Sequence, residues 1–207
     1  MKKRTVFIVL FCLALLLLSI ILIISRGGQA KKSDHDEIMA QASLLCRGEA
    51  SETIEVNKLL DRLSVFAENG DDDAQVMLGI IYIGTQKTLP EVNKAIYWFQ
   101  KAADSGNPVG QTALGEYYLK NADTAKGVML IKSAAESGYA PAQMLYGDLF
   151  FNGTGCNVDY QKAYTWYTTA IEQIPYYKAI LPGLDHPAIK KSLKENAEKA
   201  LEMLNQK

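Results

Sequence analysis

The sequence predicts an all-α protein, an α-solenoid of stacked helix-turn-helix repeats behind an N-terminal transmembrane helix. Three observations support this prediction. Residues 67–172 hold three similar segments that are offset by 36 and 32 residues, and their apolar side chains recur at helical spacing. A long uncharged run precedes them.

The first 30 residues are predicted to be a membrane anchor or an uncleaved signal sequence. Residues 2–4 are basic and precede an uncharged run from Val6 to Ile24. As a helix this run would be about 28 Å long, close to the ~30 Å of a bilayer core. Cleavage after the small residues at 28–30 is the alternative, although the run is longer than a usual signal core. The basic N-terminus favours a single-pass protein of a bacterial inner membrane with its body in the periplasm.

The body of the chain is acidic. Residues 1–30 hold four basic and no acidic side chains, so residues 31–207 carry 18 basic and 23 acidic ones. A nucleic-acid partner would require a concentrated basic face, and this balance argues against one. Cys46 and Cys156 are the cysteines of the body, and we expect too many stacked helices between them for a disulfide.

Residues 31–66 are predicted to form an N-terminal helical cap and a half-repeat. The segment from Asn57 to Gly70 aligns with the second half of the later repeats, with weaker identity. A stacked array needs such a cap, because its end units would otherwise expose an apolar face.

The three repeats share first halves that read AENGDDDAQVMLGIIYIG from Ala67, ADSGNPVGQTALGEYYLK from Ala103 and AESGYAPAQMLYGDLFFN from Ala135. Each has Ala-x-x-Gly, a small residue four positions later, Leu-Gly or Tyr-Gly, and an aromatic residue three past that glycine. The second halves read NKAIYWFQKAADSG, AKGVMLIKSAAESG and QKAYTWYTTAIEQI. Small residues at fixed helix positions let paired helices approach closely, and the large apolar residues fill the space between them.

Residues 173–207 are predicted to be a loop followed by a C-terminal capping helix. Residues 173–186 carry two prolines and no clear periodicity, and a decayed fourth repeat is the alternative to a loop. Pro187 suits the first position of a helix. After it an apolar stripe follows at helical spacing: Ile189, Leu193, Ala197, Ala200 and Leu204.

The repeat motifs resemble those of the Sel-like repeat family, which is related to the tetratricopeptide repeat. The second half of the third repeat shows the family pattern in order: Gly153, Gly155, Asp159, Lys162-Ala163 and Trp166. The chain departs from the pattern at Cys156, where valine is usual, and at Gly127, where alanine is usual. Because no strand precedes Gly153, the glycine pair is interpreted as a turn between helices and not as a phosphate-binding loop.

The sequence predicts no enzyme, no cofactor and no metal site. His35 and His186, its two histidines, lie near opposite ends of the predicted array, so a catalytic triad has no way to assemble. The cysteines and histidines lack metal-ligand spacing. The acidic run from Asp71 to Asp73 is interpreted as a helix N-terminus, where negative charge is favourable, and not as a calcium loop.

The resemblance implies a membrane-anchored, extracytoplasmic scaffold or adaptor that binds a protein partner in its concave groove. An alternative within it is an immunity protein that neutralises a secreted toxin such as a phospholipase effector. A third is a hydrolase of the β-lactam-binding type, which would be expected to carry a cysteine pair in each repeat; this chain has none.

The groove is expected on the first helix of each pair. Tetratricopeptide-like units point the residues two before, two after and five after the Leu-Gly leucine inward. Those residues are Val76, Ile80 and Ile83, then Thr112, Glu116 and Leu119, then Met144, Asp148 and Phe151. The set is mostly apolar. Glu116 and Asp148 recur at one repeat position and are expected to lie one repeat apart, where they could accept a lysine or arginine.

Overall fold

The computed structural model describes residues 32–46, 55–85, 89–121, 123–177 and 187–206. In these ranges the chain forms nine α-helices and no strand. The predicted membrane anchor, residues 1–30, lies outside the described residues. Within the described ranges no helix has the length and apolar character needed to cross a bilayer.

The helices follow one another with short connections. The first, α1, covers residues 32–46. The others are α2 (Val56–Glu68), α3 (Asp72–Thr85), α4 (Leu89–Asp104), α5 (Pro108–Lys120), α6 (Thr124–Glu136), α7 (Ala140–Asn152), α8 (Tyr160–Tyr177) and α9 (Pro187–Asn205).

The chain divides into two compact units, one ending at Phe66 and the other beginning at Ala67. In the first unit α1 packs on α2, with Ile38 and Leu63 fully buried. The imidazole of His35 meets the ring of Phe66 edge-on, with centroids 4.9 Å apart. Arg62 also pairs with Asp34 across the two helices.

In the second unit each helix from α3 to α9 packs against the next one along the chain. The pairs α3–α4, α5–α6 and α7–α8 are the three repeats, and α9 packs on α8. The predicted solenoid of helical repeats is therefore confirmed. On α9 the buried residues are Leu193, Ala197 and Ala200, which belong to the stripe that the sequence indicates.

Each repeat begins at a glycine that ends the preceding helix. Gly70, Gly106 and Gly138 have φ values of 93°, 85° and 94°, a region that side chains disfavour. At Gly106 two backbone bonds close the turn, from the glycine N–H to Ala103 O at 3.0 Å and from Asn107 N–H to Ala102 O at 2.9 Å. This is the Schellman arrangement, which satisfies the last carbonyl groups of a helix.

The Leu-Gly glycine sets the spacing of each pair. A Cβ atom on Gly79 would lie 2.5 Å from Cε1 of Phe99, and one on Gly147 would lie 2.7 Å from Cε1 of Tyr167. Both rings come from the second helix and are buried. The first helix therefore approaches the second along a strip where only glycine fits.

A lysine of the second helix covers an aromatic ring of the first helix in every repeat. Lys94 lies 5.1 Å from the centroid of the Tyr82 ring, Lys126 lies 4.8 Å from Tyr118, and Lys162 lies 5.1 Å from Phe150. An ammonium over a ring face is attracted to it while remaining in water. The lysine of the Lys-Ala or Lys-Gly motif thus shields the outer edge of each pair.

One sequence prediction needs correction. Residues 173–177 were expected in a loop, but α8 continues to Tyr177 and includes Pro175. A proline has no N–H to donate to the residue four positions earlier and its ring crowds that carbonyl, which agrees with the end of the helix only two residues after Pro175.

Candidate functional site

The first position of the predicted groove lies mostly inside the protein. Val76 and Thr112 are 7% and 6% exposed. The hydroxyl of Thr112 donates to Pro108 O in its own helix at 2.6 Å, so its hydrogen-bond donor is satisfied within the protein. Met144, the third equivalent residue, is half-buried against the cluster formed with α8 and α9.

The second position carries a different side chain in each repeat. Ile80 is half-buried against the cluster that contains Phe99. Glu116 exposes 43% of its side chain, and its carboxylate pairs with Lys120 one turn later at 3.4 Å. Asp148 is half-buried, and its carboxylate accepts a hydrogen bond from the Tyr167 hydroxyl. The two acids therefore have different surroundings.

The side chain at the third position is exposed in the first repeat and half-buried in the other two. Ile83 is 45% exposed. Leu119 is half-buried because its side chain fills the space beside Gly127, within 2.8 Å of where a Cβ atom would stand. The Phe151 ring contacts Tyr160 edge-on at 5.4 Å. The accessible part of the predicted groove is thus mixed in polarity, and most of its apolar members are half-buried against neighbouring side chains.

Asp148 and Tyr167 form a polar pair that the sequence analysis missed. The Tyr167 hydroxyl donates to Asp148 Oδ1 at 2.7 Å, and Tyr167 is 1% exposed. Tyr167 stands where the first repeat has Phe99, and Asp148 stands where it has Ile80. An apolar pair in one repeat is thus replaced by a hydrogen-bonded pair in another. This joint replacement, 68 residues along the chain, was the available signal.

Burial shifts the ionisation of both members of this pair. It raises the pKa of Asp148 above its ordinary 3.8, while the hydrogen bond from Tyr167 acts in the opposite direction. Burial and the nearby carboxylate also raise the pKa of Tyr167 well above its usual range. The tyrosine hydroxyl therefore keeps its proton and remains the donor.

A small polar cavity opens beside this pair, between α7, α8 and α9. Its volume is about 190 Å³, and its lining consists of Asp148, Phe151, Asn152, Tyr167, Asn196 and Lys199. The Lys199 ammonium lies 5.2 Å from the centroid of the Phe151 ring. Two members of the predicted groove, Asp148 and Phe151, thus contribute to a concave site.

The loop that joins α7 to α8 is held by hydrogen bonds at its ends and by packing against α6. Gly153 ends α7 with φ 71°. Asp159 accepts from the Lys162 N–H at 3.0 Å, and this bond is the main cause of a lowered pKa of Asp159. Gly155 packs against α6, because a Cβ atom there would lie 2.8 Å from methyl groups of Thr124 and Val128. These contacts support the interpretation of the glycine pair as a turn between helices.

The described ranges show no metal-ligand cluster, and the thiol of Cys156 there is not activated. No group of histidine, cysteine and acidic side chains there is arranged to hold a metal ion. The Cys156 thiol donates to Leu149 O at 3.4 Å, and burial raises its pKa. An activated cysteine nucleophile requires a lowered pKa.

Comparison with known proteins assigns the three repeats to a family. The Sel1 repeat model matches residues 72–107, 108–139 and 140–174, one match for each helix pair from α3 to α8. The chain belongs to the Sel1 repeat family. Sel1 repeats generally form non-catalytic scaffolds that bind other proteins.

Individual relatives align with about two thirds or more of this chain, which spans 65% of the curated relative that it matches. The Sel1-repeat-containing protein YjcO of Escherichia coli (strain K12) is 29% identical over 150 residues, which cover 67% of this chain and 65% of YjcO. The crystal structure of a Sel1 repeat protein from Oxalobacter formigenes aligns with a TM-score of 0.51 and 27% identity, over 66% of this chain and 97% of that protein. A protective antigen of uropathogenic Escherichia coli with an SLR fold aligns at 19% identity and a TM-score of 0.39, over 84% of this chain and 46% of the antigen.

Proposed function

We propose that the protein is a membrane-anchored, extracytoplasmic scaffold or adaptor that binds a protein partner along the first helices of its repeats, α3, α5 and α7. One observation carries this proposal: the buried glycine of the Leu-Gly or Tyr-Gly motif is constant in the three repeats, whereas the partly exposed residue after it varies. Gly79, Gly115 and Gly147 repeat without change, and the next residue is isoleucine, glutamate or aspartate. A fixed frame that presents varied side chains is the arrangement by which repeat proteins recognise a partner.

The accessible side chains supply both apolar and polar contacts. Ile83 on α3 is 45% exposed and offers an apolar contact. Glu116 on α5 carries an accessible carboxylate, and on α7 Asp148 and Phe151 line a concave site. Interfaces derive most of their affinity from a few such residues surrounded by neutral ones.

The membrane location rests on the sequence. The 19-residue uncharged run from Val6 to Ile24 follows three basic residues, and this order favours a body outside the cytoplasm. The protein is expected to sediment with membranes of its host and to keep residues 1–30. Edman sequencing of the purified protein tests this, and a mature N-terminus at Lys31 would contradict the anchor.

Site-specific photo-crosslinking tests the binding face. A photoreactive amino acid is placed at Ile83 on α3 in the full chain, expressed in its own host, and the matched control carries it at Tyr97 on α4. Both side chains are well exposed, at 45% and 53%. We expect a crosslinked protein from position 83 and none from position 97. Crosslinks from position 97 alone would move the site to the second helices.

The identity of the crosslinked protein would separate the remaining roles. An envelope protein would support the scaffold role, and a secreted toxin would support the immunity role. Binding should weaken when Glu116 and Asp148 are both changed to alanine. Unchanged affinity in that double variant would exclude the acidic positions from the interface.

A further inference from the structure

The cavity between α7, α8 and α9 holds the carboxylate of Asp148, which has no ion-pair partner among the described residues. One oxygen of Asp148 accepts from the Tyr167 hydroxyl at 2.7 Å. Among the described residues, Tyr167 is the side chain that donates a hydrogen bond to this carboxylate, and no lysine or arginine forms an ion pair with Asp148. Its second oxygen therefore retains its capacity to accept hydrogen bonds.

A half-buried carboxylate is costly without a cation. Removal from water disfavours its charge, and one hydroxyl donor offsets only part of that cost. The raised pKa of Asp148 agrees with this geometry. Lys199 lines the same cavity, but its ammonium lies over the Phe151 ring, 5.2 Å from the centroid. The site thus combines an incompletely neutralised acid with an aromatic ring that already attracts a cation.

The size of the cavity limits what can enter. Pockets for free ligands measure about 300–1,000 Å³, and this one is smaller, at about 190 Å³. A single side chain suits that volume. Charge indicates which kind, since the body carries 18 basic and 23 acidic residues and so favours a basic partner segment.

We infer that this cavity accepts one cationic side chain, a lysine ammonium or an arginine guanidinium, whose N–H groups donate to the second oxygen of Asp148. The inference rests on the proposed function only for the source of that side chain, a protein partner. Asn196 and Asn152 line the same cavity and can accept the remaining N–H groups. In the unbound protein Lys199 acts as a competitor, because its like charge opposes a second cation.

A titration of the full chain in detergent micelles with methylguanidinium chloride tests the site directly. Methylammonium chloride is the second probe, and sodium chloride at equal ionic strength is the reference. The readout is the NMR signal of the Tyr167 ring in protein labelled with ¹³C-tyrosine, assigned with Tyr167→Phe. We expect a saturable shift with at least one probe, and the stronger of the two identifies the preferred side chain.

Three variants sharpen the result. Asp148→Asn keeps an acceptor for Tyr167 and should weaken probe binding about 10-fold or more, as expected for a lost hydrogen bond to a charged group. Lys199→Gln removes the competitor and should strengthen binding. Glu195→Gln is the matched control, because it removes an exposed acid that pairs with Lys191 on α9, and it should leave binding unchanged. An unsaturable shift, or equal losses in Asp148→Asn and Glu195→Gln, would overturn the inference.

The inference and the proposed function can fail separately. Saturable probe binding without any crosslinked protein from position 83 would retain the cation site and remove the partner. A crosslinked partner combined with no probe binding would retain the scaffold and leave Asp148 as a support for Tyr167 alone. If both hold, replacement of the partner's inserted lysine or arginine by alanine should weaken binding to the native chain and not to Asp148→Asn.

Discussion

The most direct test of the helix packing compares two glycines of one helix. Gly79 and Gly84 both belong to α3. A Cβ atom at Gly79 would lie within 2.7 Å of three atoms of the Phe99 ring, whereas one at Gly84 meets nothing within 4 Å. Replacement of each by alanine changes the backbone preference in the same direction but adds a clash only at residue 79.

The two substitutions should have opposite effects on the free energy of unfolding. Alanine is favoured over glycine inside a helix by about 1 kcal/mol, so Gly84→Ala should stabilise the protein by up to that amount. Overpacking a core costs about 1–3 kcal/mol. The Phe99 ring is 4% exposed and cannot swing away, which places the cost at the upper end. An overpacking cost of about 2–3 kcal/mol, reduced by the helix-propensity gain of about 1 kcal/mol, leaves Gly79→Ala less stable than the native protein by about 1–2 kcal/mol.

Thermal unfolding followed by circular dichroism at 222 nm measures the difference. For a unit of this size about 1 kcal/mol shifts the Tm by roughly 3–4 °C, so Gly79→Ala should lower it by roughly 3–8 °C and Gly84→Ala should raise it slightly. The double variant Gly79→Ala with Phe99→Leu should recover part of the loss, because leucine vacates ring positions. An increase of Tm in Gly79→Ala equal to that of Gly84→Ala would refute the close approach of α3 and α4.

Three further predictions concern Gly155 of the third repeat, the cap of α5 and the half-buried Asp148. Gly155→Ala should lower the free energy of unfolding by about 2–3 kcal/mol, because residue 155 has a φ of 69° and an added methyl group would clash with α6. The control Gly70→Ala has open space at its site, so it should show only the cost of the positive φ. Asn107→Ala should cost about 1–2 kcal/mol in urea unfolding, because the side chain caps α5 and donates to Asp72 at 3.0 Å. The folded state raises the pKa of Asp148, so the ionised carboxylate opposes folding, and Asp148→Asn should stabilise the protein at pH 7. This gain in stability should disappear as the pH falls through the folded pKa to below 3.8, because the native carboxyl group is then protonated as well. A gain independent of pH would exclude that cause.

The helix pairs could be predicted from the sequence because their constraints are local. Two requirements place glycine at fixed positions of each repeat. One position needs a positive φ, as at Gly138, and the other must leave space for a side chain of the second helix, as at Gly147. Such positions depend on one pair of helices and on nothing beyond it. The end of α8 was not predictable in this way, since a proline indicates that a helix ends nearby but not at which residue.

The exposure of the groove residues could not be predicted, because it depends on neighbouring repeats. Spacing along a helix says that Val76, Thr112 and Met144 share a direction. How much of each is covered depends on the tilt and distance of the adjoining helices, and Thr112 in addition bonds to its own backbone. The recurrent glutamine at residues 75 and 143 was a further signal: each amide donates to a carbonyl of the preceding helix, Ala67 O at 2.8 Å and Ala135 O at 3.2 Å.

The loop that carries Gly155 determines the order in which these repeats can be arranged. It rests on Thr124 and Val128 of the unit before it, so the third repeat requires a predecessor with small or branched side chains at those two places. Gene duplication could lengthen the array by copying the second and third repeats together. A copy of the third repeat placed after itself would put Tyr160 and Tyr164, the residues equivalent to Thr124 and Val128, beneath the loop. The contact therefore disfavours tandem duplication of the third repeat alone and leaves duplication of the second repeat open.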